Sequence, residues 1–384
     1  MENDKNVFVE TVCERNMCCG CKLCETVCTK DAIKIEDNLR TLNAVIDAEK
    51  CVSCGLCHKM CPQNNPPSKN NPSYWFQGWA DDDIRTNSSS GGFATALSMH
   101  FIRGGGVVYS CKFDNGDLVY SSAHSIDEIR CFSGSKYVKS NPDGIYLAIK
   151  NDLENNTKVL FIGLPCHVGA LKNYISPKLQ EYLYTVDLIC HGTPSVKLLD
   201  MALREYGYKL RELRDILFRR NDRFAVEIAN KTIVTKGTCD RYTIGFLHGL
   251  FYTQNCYSCY YAGIERVGDI TLGDSWGTHY KSELCKGISL AVCQTNKGYN
   301  LLQNSGLTLI SVDKDVAIAN NEQLRQPYSL APNREVFFAA LDSGYTFKKA
   351  VSKSLPVECA KQRIKGLLIK IKMWEIVKKI VSRK

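Results

Sequence analysis

Polar and apolar residues alternate along AIKIED (32–37) and LNAVIDA (42–48), on either side of NLRT, which predicts a β-hairpin. Beyond residue 72 the pattern changes. SYWFQGWA (73–80) predicts a strand. SSSGGFATALSMHFIR (88–103) predicts a serine- and glycine-led helix ending near Arg103, and Gly104 to Gly106 turn the chain into a strand at Val107–Tyr109. CKFDNGDLVYSSAH (111–124) reads as a hairpin turning at Asn115–Gly116. KVLFIG (158–163) and YTVDLI (184–189) are near-continuous apolar runs expected of strands buried on both faces. A turn and a helix come after each, the second helix capped near Thr193. GDITLGDSWG (268–277) is a further strand ending in a Gly-Asp turn. Strand–helix–strand order requires 158–163 and 184–189 to be parallel. The residues just past each strand therefore lie at one sheet edge, where open α/β sheets bind ligands.

Composition narrows the class. The 384 residues are 44% hydrophobic and 23% charged, a globular balance with room for two or three domains. No apolar run approaches the roughly 20 residues that cross a bilayer, and MENDKNVFVE lacks a secretion signal. The expectation is a cytoplasmic protein, where twenty cysteines imply metal or redox chemistry rather than disulfides. The net charge of +9 is concentrated at one end: residues 361–384 hold nine Lys/Arg against Glu375 alone. The body is therefore not expected to bind nucleic acid. KQRIKGLLIKIKMWEIVKKIVSRK is helix-compatible, with Lys361, Lys365, Lys372 and Lys379 on one stripe. It reads either as a helix packed on the body or as one docking peripherally on a partner or on the inner face of an anionic membrane.

The cysteine spacing is more specific. Cys18-x2-Cys21-x2-Cys24-x3-Cys28 and Cys51-x2-Cys54-x2-Cys57-x3-Cys61-Pro62 repeat the run of bacterial two-cluster ferredoxins. The fourth cysteine of each run turns to the other cubane, so one 4Fe-4S cluster takes Cys18, Cys21, Cys24 and Cys61, the other Cys51, Cys54, Cys57 and Cys28. Gly20 and Gly55 suit the tight backbone around each core. Zinc knuckles are the competing reading, but zinc seldom sees a triplet-plus-one spacing. Thr29 stands where proline usually comes after the first run, and Cys13 and Cys19 are left over, Cys19 as a bystander beside a ligand.

PQNNPPSKNNP (62–72), with four prolines and four asparagines, predicts a stiff polar linker. Past it, Ser89, Ser90, Gly91 and Gly92 open a helix whose start would suit an anion, and GSKYVKS (134–140) adds Gly134, Ser135, Lys136 and a second lysine suited to a phosphate. An N-cap with packing glycines and a solvated turn are the plainer alternatives. Cys166 and Cys190 come just after the two parallel strands, and Cys256-x2-Cys259 is half a metal site. Taken alone, that pair suits zinc or a redox dithiol equally. Together the four would complete a third 4Fe-4S set, with Cys131 as the residue most apt to displace one of them. Asp274 serves a ligand or caps its turn. Tyr137 and Trp276 shield a cofactor or belong to the core. No CxxxCxxC triplet is present for radical chemistry, and Cys-His neighbours on one strand point to opposite faces, which disfavours a nucleophilic dyad.

SSSGGF, GSKYVKS, GLPCHVGAL, LICHGTPS, CYSC and GDITLGDSWG occur in order between Trp75 and Tyr345. In this the chain resembles the coenzyme F-420 hydrogenase/dehydrogenase beta-subunit family. FRRNDRFAVEI and KGISLAVCQTNKG are similar to its bacterial branch with a fused ferredoxin domain. The resemblance implies a bound FAD and a 4Fe-4S cluster on Cys166, Cys190, Cys256 and Cys259. It also implies flavin phosphate contacts from Ser89, Ser90, Gly91, Gly92, Gly134, Ser135 and Lys136, with Asp274 near the cofactor as a tentative catalytic residue. Coenzyme F-420 or another hydride carrier would be the small-molecule partner. The fold class expected is α+β / α/β. A two-cluster ferredoxin domain (1–65) and a linker (66–74) precede a mixed α/β flavin-binding body in two parts (75–150 and 151–345) and a basic helical tail (346–384). The expected function is an anaerobic, oxygen-sensitive oxidoreductase moving electrons between ferredoxin-type clusters and a hydride partner through FAD. The alternative is a non-catalytic subunit wiring a redox partner protein, either a ferredoxin or a catalytic subunit, with surface-polysaccharide metabolism as one setting. A zinc-binding interaction protein is the remaining class.

Overall fold

The computed structural model describes residues 10–220 and 223–381. The leading residues read above for a targeting signal, and the side chain of Lys379, lie outside them. The alternating runs form an antiparallel hairpin, β1 (Ile33–Asp37) and β2 (Leu42–Ile46), in register from Ile33–Ile46 to Asp37–Leu42. Two five-residue helices, Leu23–Val27 and Leu56–Met60, begin within the two cysteine runs, and Gly55 caps the second with a left-handed φ of 72°.

The body is built on one eight-stranded sheet of β3 (Tyr74–Trp79), β4 (Val107–Asp114), β5 (Asp117–Ala123), β6 (Val159–Gly163) and β7 (Leu183–Leu188), together with β11 (Ile270–Asp274), β12 (Ser289–Cys293) and β13 (Thr308–Ser311). Its order is β13-β3-β12-β11-β7-β6-β4-β5. A three-stranded sheet beside it contains β8 (Leu217–Arg220), β9 (Arg223–Ile228) and β10 (Lys231–Thr232). In the large sheet β4, β6, β7 and β11 run parallel, and the outer strands pair antiparallel. Every residue of β6 is buried, as its unbroken apolar run predicts for a central strand covered on both faces. Residues 75–150 and 151–345 therefore share one sheet. The fold is mixed α/β with a small ferredoxin-like domain ahead of it and helices at the end.

The strand of residues 184–189 carries an acid at its centre, and the structure supplies the reason. Asp187, wholly buried, accepts from Arg266 Nε (3.0 Å), Gly268 N (2.8 Å) and Thr271 Oγ1 (3.0 Å). Arg266 Nη2 donates to Leu188 O (2.5 Å). This pair ties the segment after Cys259 to the end of β7. Removing one partner of such a pair costs about 3–5 kcal/mol, because the other is left charged and buried.

Three sequence expectations change. The polar linker is pinned, since Asn70 N donates to Arg266 O (2.7 Å) and Asn70 Nδ2 to Gly268 O (3.1 Å). The hairpin turn NLRT ahead of it is also held by the body: Ser195 Oγ and Lys197 Nζ donate to Asp37 (both 2.6 Å), Gln254 N donates to Arg40 O (3.0 Å), and Arg40 pairs with Asp342 (2.6 Å). The tail is two helices, Pro356–Lys370 and Trp374–Val381, broken where Lys372 takes a left-handed φ of 59°. Lys361 and Lys365 thus lie on the first helix and Lys372 in the break, so no single stripe joins them. The helix after β7 is capped by Ser195, which accepts from Lys197 N, rather than by Thr193.

Candidate functional site

Parallel β6, β7 and β11 end on one edge, and each end carries candidate chemistry. Pro165 opens the helix Pro165–Tyr174 with Cys166 in its first turn. Cys166 and His167 therefore sit on a helix, and the strand-face argument against a dyad does not apply to them. His167 is fully buried, and burial pushes its pKa down to about 3, which leaves a neutral ring against Tyr120 Oη (3.1 Å). Cys190 lies two residues past β7, with Gly192 two residues further on. A Cβ at Gly192 would come within 2.4 Å of the Tyr252 ring, so the chain turns beside Tyr252 only with glycine there.

Cys256 and Cys259, on the short turn Gln254–Ser258 and just after it, face the same point. Burial pushes the Cys190 thiol up to about 12, and Cys256 and Cys259 add to that shift through their charge. Lys139 lies among these groups. Burial opposes its charge, but Cys256, Cys166, Cys19 and Cys190 together hold the ammonium above its ordinary pKa. Of the two lysines in GSKYVKS, this one therefore faces sulfur rather than an anion site. The other, Lys136, donates to Phe132 O (2.6 Å) and Ser133 O (3.0 Å) of its own loop, and burial lowers its pKa.

Cys19 is not the bystander its position in the sequence suggested. It is 2% exposed, and its thiol contacts both Cys166 and Cys21. Lys139 Nζ donates to Cys19 O (3.1 Å) and Tyr146 Oη to Cys21 O (2.8 Å), so the loop of the first cysteine run is seated on the body beside the four-cysteine group. Cys13 contacts Cys18 and Cys61. Cys18, Cys24 and Cys61 pack in one buried cluster, with Cys28, Cys51 and Cys57 against it and Cys54 exposed. Cys131 stands apart: it is exposed, donates to Glu128 O (3.0 Å), and its charged neighbours are Lys112, Lys136 and Asp114. Among the described residues no group of three or more His, Cys, Asp or Glu side chains is arranged to hold a single metal ion. A cubane asks for a different geometry, with each thiolate capping its own iron around a larger core.

A cavity of about 520 Å³ opens at the same sheet edge. Ser89, Ser90, Gly92, Gly134, Ser135 and Lys136 line one end, with Cys190, Arg219, Asp274 and Trp276 along the rest. Ser135 N donates to Ser89 Oγ (2.8 Å), joining the two glycine-rich segments. Ser90 Oγ is buried and without a protein partner. Gly91 is outside the lining. A Cβ there would meet Gly78 O at 2.4 Å and Ser289 N at 2.7 Å, so this glycine serves backbone packing. Asp274 is engaged by a residue the sequence reading missed: Arg219 donates to both its oxygens (2.6 and 2.9 Å). Only FRR, ahead of the pair's distant partner, signalled it. Tyr137 lines the cavity while stacking on Phe246 (4.4 Å between centroids, 12° between planes), whereas Trp276 stays 36% exposed at the rim.

With this geometry in place, similarity to known proteins decides the family. Residues 156–310 match the family described as the C terminus of the coenzyme F-420 hydrogenase/dehydrogenase beta chain, and residues 17–65 match the 4Fe-4S dicluster domain. The chain belongs to the F-420 hydrogenase/dehydrogenase beta-subunit family, with a fused 4Fe-4S dicluster domain. The fold of this family member is shared, at a TM-score of 0.50 and 16% identity, with a chain in the xenon-derivatized F-420-reducing nickel–iron hydrogenase complex of Methanosarcina barkeri. That alignment covers 68% of this chain and 91% of the other. The N-terminal region is 46% identical over 61 residues to the B component of the ion-translocating oxidoreductase complex of Methanosarcina acetivorans. That match takes in 16% of this chain and 21% of its relative. The beta-subunit family member is thus an iron–sulfur protein of oxidoreductase, electron-transfer type. No helix among the described residues is long and apolar enough to cross a membrane.

Proposed function

We propose that the chain is an iron–sulfur flavoprotein oxidoreductase carrying electrons between three 4Fe-4S clusters and FAD, and from FAD to a hydride donor or acceptor. Cys18, Cys21, Cys24 and Cys61 would hold the first cluster, Cys51, Cys54, Cys57 and Cys28 the second, and Cys166, Cys190, Cys256 and Cys259 the third. One observation carries the reading: Cys190 belongs both to the four-cysteine group and to the wall of the large cavity. The cavity suits a phosphate-bearing cofactor. Its volume is in the usual ligand range, a serine hydroxyl is left unpaired at the end where an eleven-residue helix (Phe93–Arg103) begins, and N–H groups at that end favour an anion. A flavin exchanges electron pairs with hydride carriers and single electrons with clusters, which is the conversion the arrangement needs.

In this reading Lys139 offsets thiolate charge, and the Arg219–Asp274 pair fixes a guanidinium at the cavity wall between Phe224 (4.7 Å) and Trp276 (5.5 Å). Asp274 acts through Arg219 rather than as a base, since both its oxygens are engaged. The loop around Cys51–Cys57 is the exposed end of the conduit, where a redox partner protein would exchange electrons. The exposed Ile364, Leu367 and Ile371 on the basic tail favour, as a second contact, an anionic membrane surface.

The test is anaerobic purification with iron and flavin determination. Three cubanes give about twelve irons per chain, with one flavin, and Cys190→Ala should remove about four of those irons while perturbing the flavin band. Full iron in Cys190→Ala, or a wild-type chain without flavin, would end the reading.

A further inference from the structure

A second cavity, of about 760 Å³, opens on the other side of Phe224 and Leu247, which line both cavities. Among its described lining residues are five cations, Arg220, Arg223, Lys231, Lys236 and Lys365, against one carboxylate, Glu227. They come from three segments: the β8–β10 sheet, the loop before helix Arg241–Leu247, and the tail helix Pro356–Lys370. The adjacent arginines of β8 divide between the cavities, Arg219 pairing with Asp274 in the first and Arg220 with Glu227 (2.6 Å) in the second. Gln362 Oε1 accepts from Cys239 N (3.0 Å), which anchors the tail helix where Lys365 meets the cavity.

Solvated surface lysines spread apart because like charges repel. Drawing five cations from three segments into one concavity costs energy in the free protein, and an anion recovers it, since low-dielectric walls focus the field. Thr232, Thr238 and the backbone at Gly237 supply neutral polar groups in the same wall.

We propose that the second cavity binds the anionic part of the hydride partner, a small molecule bearing at least two phosphate or carboxylate groups, whose redox ring reaches the first cavity past Phe224 and Leu247. The proposal rests on the flavin reading of the first cavity.

Calorimetric titration of the anaerobic holoprotein with inorganic pyrophosphate and with citrate tests it, with the flavin absorption band followed in parallel. Lys231 and Lys236 are exposed, so the variant Lys231→Glu/Lys236→Glu should fold. The expected result is saturable binding of at least one probe that weakens with salt and falls at least tenfold in the variant. Pyrophosphate alone points to a phosphorylated partner, citrate alone to a polycarboxylate. A shift of the flavin band on binding in the wild type, lost in the variant, is also expected. No saturable binding, or equal affinity in the variant, overturns the anion site. Binding with an unmoved flavin band overturns its link to the first cavity. Absence of flavin from the purified chain sinks the flavin reading by itself and leaves the calorimetry to judge the anion site.

Discussion

The two cysteine runs of the N-terminal domain are near copies, yet the structure treats them oppositely. Cys18, Cys19, Cys21 and Cys24 are all buried, and their loop takes bonds from Lys139 and Tyr146 of the body. The second loop presents Cys54, Val52 (61% exposed) and Leu56 (36%) to solvent. The same spacing thus makes one inward and one outward terminal. A conduit needs that asymmetry, and two equivalent clusters would not provide it.

The largest test of the contrast is to empty each loop in turn. Cys18→Ser/Cys24→Ser and Cys51→Ser/Cys54→Ser should each remove about four irons. Only the first should also unseat the domain, lowering the body's Tm by about 5–10 °C, as read by anaerobic thermal unfolding. Equal Tm values for the two variants would dissolve the contrast. Next in size, Asp187→Ala leaves Arg266 charged and buried, at a cost of about 3–5 kcal/mol. Because the pair anchors the segment after Cys259, denaturant unfolding should register the loss, and iron at the third site should fall while the outward loop keeps its own. Smaller again, Tyr146→Phe strips the buried Cys21 carbonyl of its donor, at about 1–3 kcal/mol. A stability unchanged from wild type would show that the loop is held by other contacts. Smallest for stability is Val52→Glu/Leu56→Glu, within about 0.5 kcal/mol per site as for other surface changes. Its effect should appear instead in stopped-flow reduction by a ferredoxin, slowed while the iron content stays whole.

Much of this was legible beforehand. The ferredoxin spacing, the hairpin, the parallel strands and the shared edge for Cys166, Cys190 and Asp274 came from local pattern. The features that escaped the reading depend on partners far along the chain. Cys19 meets Cys166 across 147 positions, Arg219 meets Asp274 across 55, and Arg40 meets Asp342 across 302. Gly91 looked like an anion-binding glycine because its neighbours suit one, but its role is set by Gly78 and Ser289. Lys136 and Lys139 share one heptapeptide, and their different roles come from what each meets in the fold.

The sequence alone determined which residues would form strands, turns and cysteine loops, because those choices depend on apolar periodicity, glycine placement and ligand spacing within a few residues. The tertiary structure decided which cysteine loop faces the body and which lysine faces the thiols. It also decided that β8 separates two cavities of different charge. Burial, ion pairing and field strength arise only when distant segments close on one another, and a local pattern contains no term for that.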